Sequence, residues 1–280
     1  MRSRRFALAG ASVFAVLGVA LFCMVVAAVV GNPGFYIWKI FSGKAHGGRY
    51  AAINNVQIYF ETYGTGPPVL VLHGGLGRLE DMRHQIRALA SSRFVIAPDS
   101  RGHGRSTDAD VPLNYSLMAE DMVELLDRLD IAQVDVVGWS DGGIIGLDLA
   151  MRYPERIRRL VAIGSNYDVD GLIKKPEFSV ELPQRRSLCL RCVPDPAFAR
   201  KVITMWRTLP HYSLNNLGKI NAPTLIIAGE FDVIKRTHSD QLVRAISGSK
   251  EKIIEGATHS LINEKPDIVN EEILNFLDKP

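Results

Sequence analysis

From about Tyr50 to the C-terminus, apolar positions follow two alternating spacings. Short apolar runs with strand character occupy Val69–His73, Phe94–Ala97, Val134–Val137, Arg159–Ile163, Thr224–Ala228 and Lys252–Ile254. Ala51–Ile53 and Val56–Thr62 flank Asn54-Asn55, a hairpin signal. Between the later runs, apolar residues recur at helical spacing over Leu79–Ala90, Ser116–Leu129, Gly142–Met151, Ser239–Ile246 and Pro266–Leu277. Repeated strand–helix units predict an α/β domain: a mostly parallel, eight-stranded sheet with helices on both faces. The rhythm breaks from Gly164 to Gly218, where Pro176, Pro183, Pro194, Pro196 and Pro210 leave one helical stretch, Pro196–Leu209. This segment reads as a small lid insertion at the carboxyl edge of the sheet. Phe198, Val202, Met205, Trp206 and Leu209 fall near one face of its helix. That face either packs on the core or covers a substrate pocket.

The pattern differs at the N-terminus. Phe6 to Gly31 is an uncharged, apolar run, longer than the about 20 residues a helix needs to cross a bilayer. Arg2, Arg4 and Arg5 precede it, and Phe35, Tyr36, Trp38 and Phe41 follow it. Basic residues favour the cytoplasmic side and aromatic ones the interface. The expectation is one N-terminal transmembrane helix within residues 1–31, a linker over 32–49, and a globular domain over 50–280 lying outside the cytoplasm. A cleaved export signal, giving a secreted protein, is the alternative.

Charge adds little. The formal net charge is +3, from 33 Lys and Arg against 30 Asp and Glu. The three N-terminal arginines account for that excess, so the globular part is formally neutral and no nucleic-acid partner is expected. Three cysteines do not make a disulfide framework. Cys189 and Cys192 are spaced as a C-x-x-C pair but lack the flanking context of a redox or zinc motif, leaving an optional disulfide.

Candidate chemistry sits where strands end. Gly138-Trp139-Ser140-Asp141-Gly142 follows the strand Val134–Val137 and opens a helix. A serine on such a turn is exposed above the sheet, and the helix N-terminus favours negative charge beside it. Asp232, in Gly229-Glu230-Phe231-Asp232, and His259, in Gly256-Ala257-Thr258-His259, each follow a later strand. The order Ser, Asp, His suits a relay in which His259 takes the Ser140 proton and Asp232 orients the imidazole. Glu230 is the alternative acid. His73-Gly74-Gly75-Leu76-Gly77 ends another strand, and its backbone N–H groups are candidate oxyanion donors. Gly75, or else Leu76, would act with the N–H of Asp141. His73 itself reads as structural. The loop Asp99–Ser106 reads as a turn, because one Asp and one His are too few for a metal. No metal or cofactor is expected.

Together these four ordered elements resemble the α/β-hydrolase superfamily over about Tyr50 to Leu277. The elbow Gly138–Gly143 is similar to that of valacyclovir hydrolase-like esterases. The resemblance implies a serine hydrolase cleaving an ester of a small acyl substrate. It also associates the carboxylate after the nucleophile, here Asp141, with a cationic substrate group. Leu76, Trp139 and Trp206 are the candidate substrate contacts. Superfamily members with an Asp nucleophile are excluded by Ser140. Lactonases, thioesterases and carbon–carbon-bond hydrolases remain open, as does a non-catalytic, membrane-tethered binding protein.

Overall fold

The computed structural model describes residues 32–173 and 195–278. The apolar run Phe6–Gly31, the Cys189–Cys192 pair and the middle of the Gly164–Gly218 insertion lie outside the described residues. Among the described residues, no helix is long and apolar enough to cross a membrane.

Residues 32–43 belong to one compact unit, and the described residues from Lys44 onward to another. Their helix, Pro33–Phe41, starts at an Asn32 cap whose Oδ1 accepts from the Phe35 N–H at 3.2 Å. Pro33 at the first helical position, where its missing N–H costs nothing, starts this helix rather than breaking one. Phe35 stacks on Trp38 at 5.7 Å between centroids, and Lys39 lies over the Phe35 and Tyr36 rings. Ile37, Ile40 and Phe41 are exposed. The stretch 32–49 is therefore not featureless: it holds this helix and the start of the first strand.

The strands are β1 Ala45–Ile53, β2 Val56–Tyr63, β3 Pro68–Leu72, β4 Phe94–Pro98, β5 Val134–Trp139, β6 Ile157–Ile163, β7 Thr224–Phe231 and β8 Lys250–Thr258. They form one sheet in the order β1-β2-β4-β3-β5-β6-β7-β8. β1 and β2 pair antiparallel, as do β2 and β4; every later pairing is parallel. β1 begins six residues before the apolar signal at Ala51 because its first part is mostly exposed and carries no alternation. The hairpin turns on Asn54 and Asn55, both at positive φ, a region Asn tolerates better than most side chains.

Both faces of the sheet are covered. Leu70, Leu72, Ile96, Val134, Val136, Leu160 and Ala162 share a core with Met118, Met122, Leu125, Ile144, Leu147 and Leu242. These come from the helices Tyr115–Arg128, Asp141–Arg152 and Arg236–Ala245. The intervening Val69, Val71, Val95, Val137 and Val161 are equally buried and point the other way. There the helices Arg83–Leu89 and Pro266–Leu277 pack on each other. Continuous apolar runs such as Val69–Leu72 are what a doubly covered parallel strand requires.

The segment predicted as one helix from Leu79 starts as a 3₁₀ turn, Leu79–Met82, before the α-helix Arg83–Leu89. Buried Asp99 explains the break. It accepts from the Leu79 N–H at 2.8 Å and from the Arg105 N–H and Nε at 2.9 and 2.8 Å. The Arg105 fork closes on both Glu80 oxygens. Asp99–Ser106 is thus a charged clasp at the carboxyl end of β4. Within the Gly164–Gly218 insertion, the helix Pro196–Thr208 buries Phe198, Val202 and Met205, as its spacing predicts.

Candidate active site

Ser140 stands between β5 and the helix Asp141–Arg152 with φ +56° and ψ −121°. A non-glycine residue with that backbone is strained and persists only where its surroundings enforce it. Here its N–H donates to the Ile163 carbonyl at 2.7 Å, and its own carbonyl accepts from Gly143, Ile144 and Ser165 Oγ. The turn is too tight for side chains on either flank. A Cβ at Gly138 would run into the Gly142 carbonyl, and one at Gly142 into the carbonyl of Leu72.

His259 follows β8 and faces the serine: its Nε2 is 3.0 Å from Ser140 Oγ. Its Nδ1 lies 2.8 Å from Asp232 Oδ1. A carboxylate only accepts, so Nδ1 carries the proton of the neutral ring and Nε2 presents a lone pair to the serine hydroxyl. Asp232 follows β7 and is buried. It also accepts from the N–H groups of Ile234 and Gly229 at 3.2 and 3.3 Å. Burial works to raise its carboxyl pKa. The His259 hydrogen bond and charge, with the two backbone donors, outweigh that and hold it below its ordinary value. Glu230, the alternative acid, instead accepts from the Gly256 N–H at an exposed position.

The loop after β3 lies directly over the elbow. A Cβ at Gly74 would be 3.1 Å from Ser140 Cβ. Gly77 closes a turn on the Gly74 carbonyl at 3.1 Å, with Leu76 at φ +55°. Asp141 is the first helical residue, so its N–H has no acceptor within the helix. Gly75 touches the Asp141 side chain: any Cβ there would strike Asp141 Oδ2 and the Trp206 ring. The two residues expected to supply oxyanion donors, Gly75 and Asp141, are thus neighbours. His73 is structural, with Nδ1 against the Gly74 carbonyl and Nε2 accepting from the Ser100 N–H at 2.9 Å.

The candidate substrate contacts are brought to the site with more specific partners than sequence suggests. Trp139 donates from Nε1 to the His259 carbonyl at 2.9 Å, its ring 5.5 Å from the imidazole. Leu76 packs partly buried against the core. Trp206 donates from Nε1 to both Asp141 oxygens, at 2.9 and 2.8 Å. Tyr115, which sequence reasoning missed, donates its hydroxyl to Asp141 Oδ1 at 3.0 Å. Its only signal is its place behind the Asn114 N-cap, at the start of an amphipathic helix. Burial raises the Asp141 pKa above its ordinary value, against the lowering effect of the Trp206 and Tyr115 donors. Among the described residues, no group of three or more His, Cys, Asp or Glu is placed to hold a metal.

A profile of the alpha/beta hydrolase fold matches residues 67–187. Serine hydrolase BPHL of Homo sapiens is 30% identical over 270 residues, which span 88% of this chain and 93% of that relative. The chain belongs to the α/β-hydrolase family. It is an enzyme of that family's serine-hydrolase branch. The α/β-hydrolase relatives include 2-hydroxymuconate semialdehyde hydrolase of a Pseudomonas species, 41% identical over 122 residues, 42% of this chain and 43% of its own. Among solved α/β-hydrolase structures, a bacterial membrane phospholipase A superposes with a TM-score of 0.77 at 21% identity, covering 98% of each chain.

Proposed function

We propose that the protein hydrolyses an ester-type bond of a small acyl substrate through an acyl-Ser140 intermediate. The observation that carries this reading is the unbroken line from Ser140 Oγ through His259 to Asp232, at 3.0 and 2.8 Å. As Oγ attacks the acyl carbonyl, its proton passes to His259 Nε2, and Asp232 stabilises the imidazolium. The carbonyl electron pair moves onto oxygen, beside the N–H groups of Gly75 and Asp141. Collapse expels the alkoxide, which takes the proton from His259. Water then repeats the sequence on the acyl-serine, releasing a carboxylic acid and freeing Ser140. The test is a panel of acyl esters of graded chain length, with amino-acid esters and a diacyl phospholipid included, quenched early and analysed by intact mass. An acyl adduct on Ser140 with at least one ester is expected. A folded protein that forms no adduct with any member overturns the reading.

The enzyme is further proposed to be a single-pass membrane protein, anchored by Phe6–Gly31 with its N-terminus cytoplasmic and the hydrolase domain outside. The length of the uncharged run and the preceding arginines support this. So do Trp38, Tyr36 and the exposed Ile37, Ile40 and Phe41 that follow. The full-length protein is expected in the membrane fraction after a high-salt wash, which strips proteins held by surface charge. Recovery in the soluble fraction with the N-terminus trimmed near Ala28 would replace the anchor by a cleaved signal.

A further inference from the structure

We propose that the Asp141 side chain is a latch that fixes the lid helix and the oxyanion loop to the nucleophile elbow, and not a receptor for a cationic substrate. The site accordingly takes uncharged acyl groups without preference for amino-acid esters. This rests on the acyl-serine reading above.

Four segments meet at one carboxylate. Asp141 belongs to the elbow, Trp206 to the lid helix, Tyr115 to the start of the helix after Asn114, and Gly75 to the loop after β3. The carboxylate accepts from two donors, the Trp206 indole N–H, shared across both oxygens, and the Tyr115 hydroxyl. The residue is 4% exposed, and Tyr115 is 2% exposed. Oδ2 carries only a share of the Trp206 N–H, so what keeps an ammonium group out is the lack of a path to it. The Trp206 ring occupies the approach on the Gly75 side, where a single added methyl would collide with both partners. Met205, next to Trp206, is buried, so the lid helix is seated rather than hovering.

The backbone N–H of Asp141 is one of the two proposed oxyanion donors. Side chain and donor belong to the same residue at the first helical position, so hydrogen bonds on the carboxylate restrain the backbone that carries the N–H. Gly75 lies so close to Asp141 Oδ2 and the Trp206 ring that a Cβ there would collide with both, so the loop carrying the second donor is held against the elbow. The lid thereby helps to hold the oxyanion cradle. Asp141 acts through its side chain as a positioning residue, and Trp206 and Tyr115 act through Asp141.

The test compares two esters that differ only in an α-ammonium group, using the wild type, Asp141→Asn, Trp206→Phe and Tyr115→Phe. Asp141→Asn keeps the shape and the backbone N–H but turns one acceptor into a donor that faces Trp206. Trp206→Phe keeps ring bulk and removes the indole donor. Both are expected to lower kcat on the two esters by the same factor, about 10- to 100-fold, with KM moving by less than about threefold. The double variant is expected to be no slower than Asp141→Asn alone, as for residues acting as a unit. Tyr115→Phe, lying outside the lid, gives a smaller equal loss and keeps the test open if Asp141→Asn does not fold. A loss in Asp141→Asn that is at least about 30-fold greater on the ammonium ester is the signature of a broken buried charge pair and overturns the latch. Unchanged kcat in Trp206→Phe overturns it equally. Fluorophosphonate labelling of the wild type runs alongside: no label on Ser140 sinks the acyl-serine reading itself, whereas a labelled enzyme with an ammonium-selective loss sinks only the latch.

Discussion

Ser140→Ala is expected to abolish fluorophosphonate labelling and to lower kcat by about a million-fold. On the proposed mechanism, Oγ of the wild type attacks phosphorus, fluoride leaves, and His259 Nε2, 3.0 Å away, takes the hydroxyl proton. Alanine has no oxygen to attack with, and among the described residues no other hydroxyl lies within hydrogen-bonding distance of His259. Residual turnover comes from the oxyanion donors and substrate binding alone. The substitution retains Cβ, so it neither relieves nor adds to the strain at φ +56°. The variant's Tm therefore stays close to that of the wild type, and lost activity cannot be assigned to unfolding. Normal labelling of a folded Ser140→Ala protein would remove Ser140 from the mechanism.

Asp232→Asn carries the second-largest effect, a fall in kcat of about ten-thousand-fold. The carboxylate only accepts, so it holds the His259 proton on Nδ1 and leaves Nε2 open to the serine. An amide can turn its NH₂ toward Nδ1, which favours the opposite tautomer and closes Nε2 to the serine proton. A second readout concerns stability. The Asp232 carboxyl is held below its ordinary value of 3.8 by His259 and two backbone donors, against the opposing effect of burial. A depressed folded pKa stabilises the protein above the unfolded value, and that contribution is lost as pH falls through the folded one. The Tm gap between wild type and Asp232→Asn is therefore widest near neutrality and closes on acidification below 3.8. A gap of equal size at acidic and neutral pH would show that Asp232 is not an ionised partner.

How much of this was legible in the sequence follows from how local each signal is. The elbow could be read because Gly138, Ser140 and Gly142 obey a steric rule confined to one turn. Asp232 and His259 could be read from strand ends and chain order. The doubly buried strands β3 and β5 announced themselves as unbroken apolar runs. The first half of β1 did not, because an exposed edge of a hairpin buries nothing on either face. Nor did the partners of Asp141. Tyr115 lies 26 residues before it and Trp206 65 after, and no spacing rule spans such separations. The association of that aspartate with a cationic substrate group came from resemblance to the elbow of related esterases. The elbow does not specify which donors reach the carboxylate, and here they come from Trp206 and Tyr115.

The sheet order places the nucleophile and its base in regions that open at different cost. Ser140 follows β5, which is paired on both sides by β3 and β6. His259 follows β8, which pairs only with β7 and ends the sheet. Amide hydrogen exchange in folded domains proceeds through sub-global openings that are cheapest at such margins. Opening of Lys250–Thr258 thus withdraws the imidazole while the serine elbow, clamped in the middle of the sheet, stays formed. The indole N–H of Trp139 on the His259 carbonyl resists that opening by tethering the margin to the residue beside the nucleophile. On heating, base and nucleophile are expected to separate before the core melts, so that activity is lost at a lower temperature than the circular-dichroism signal.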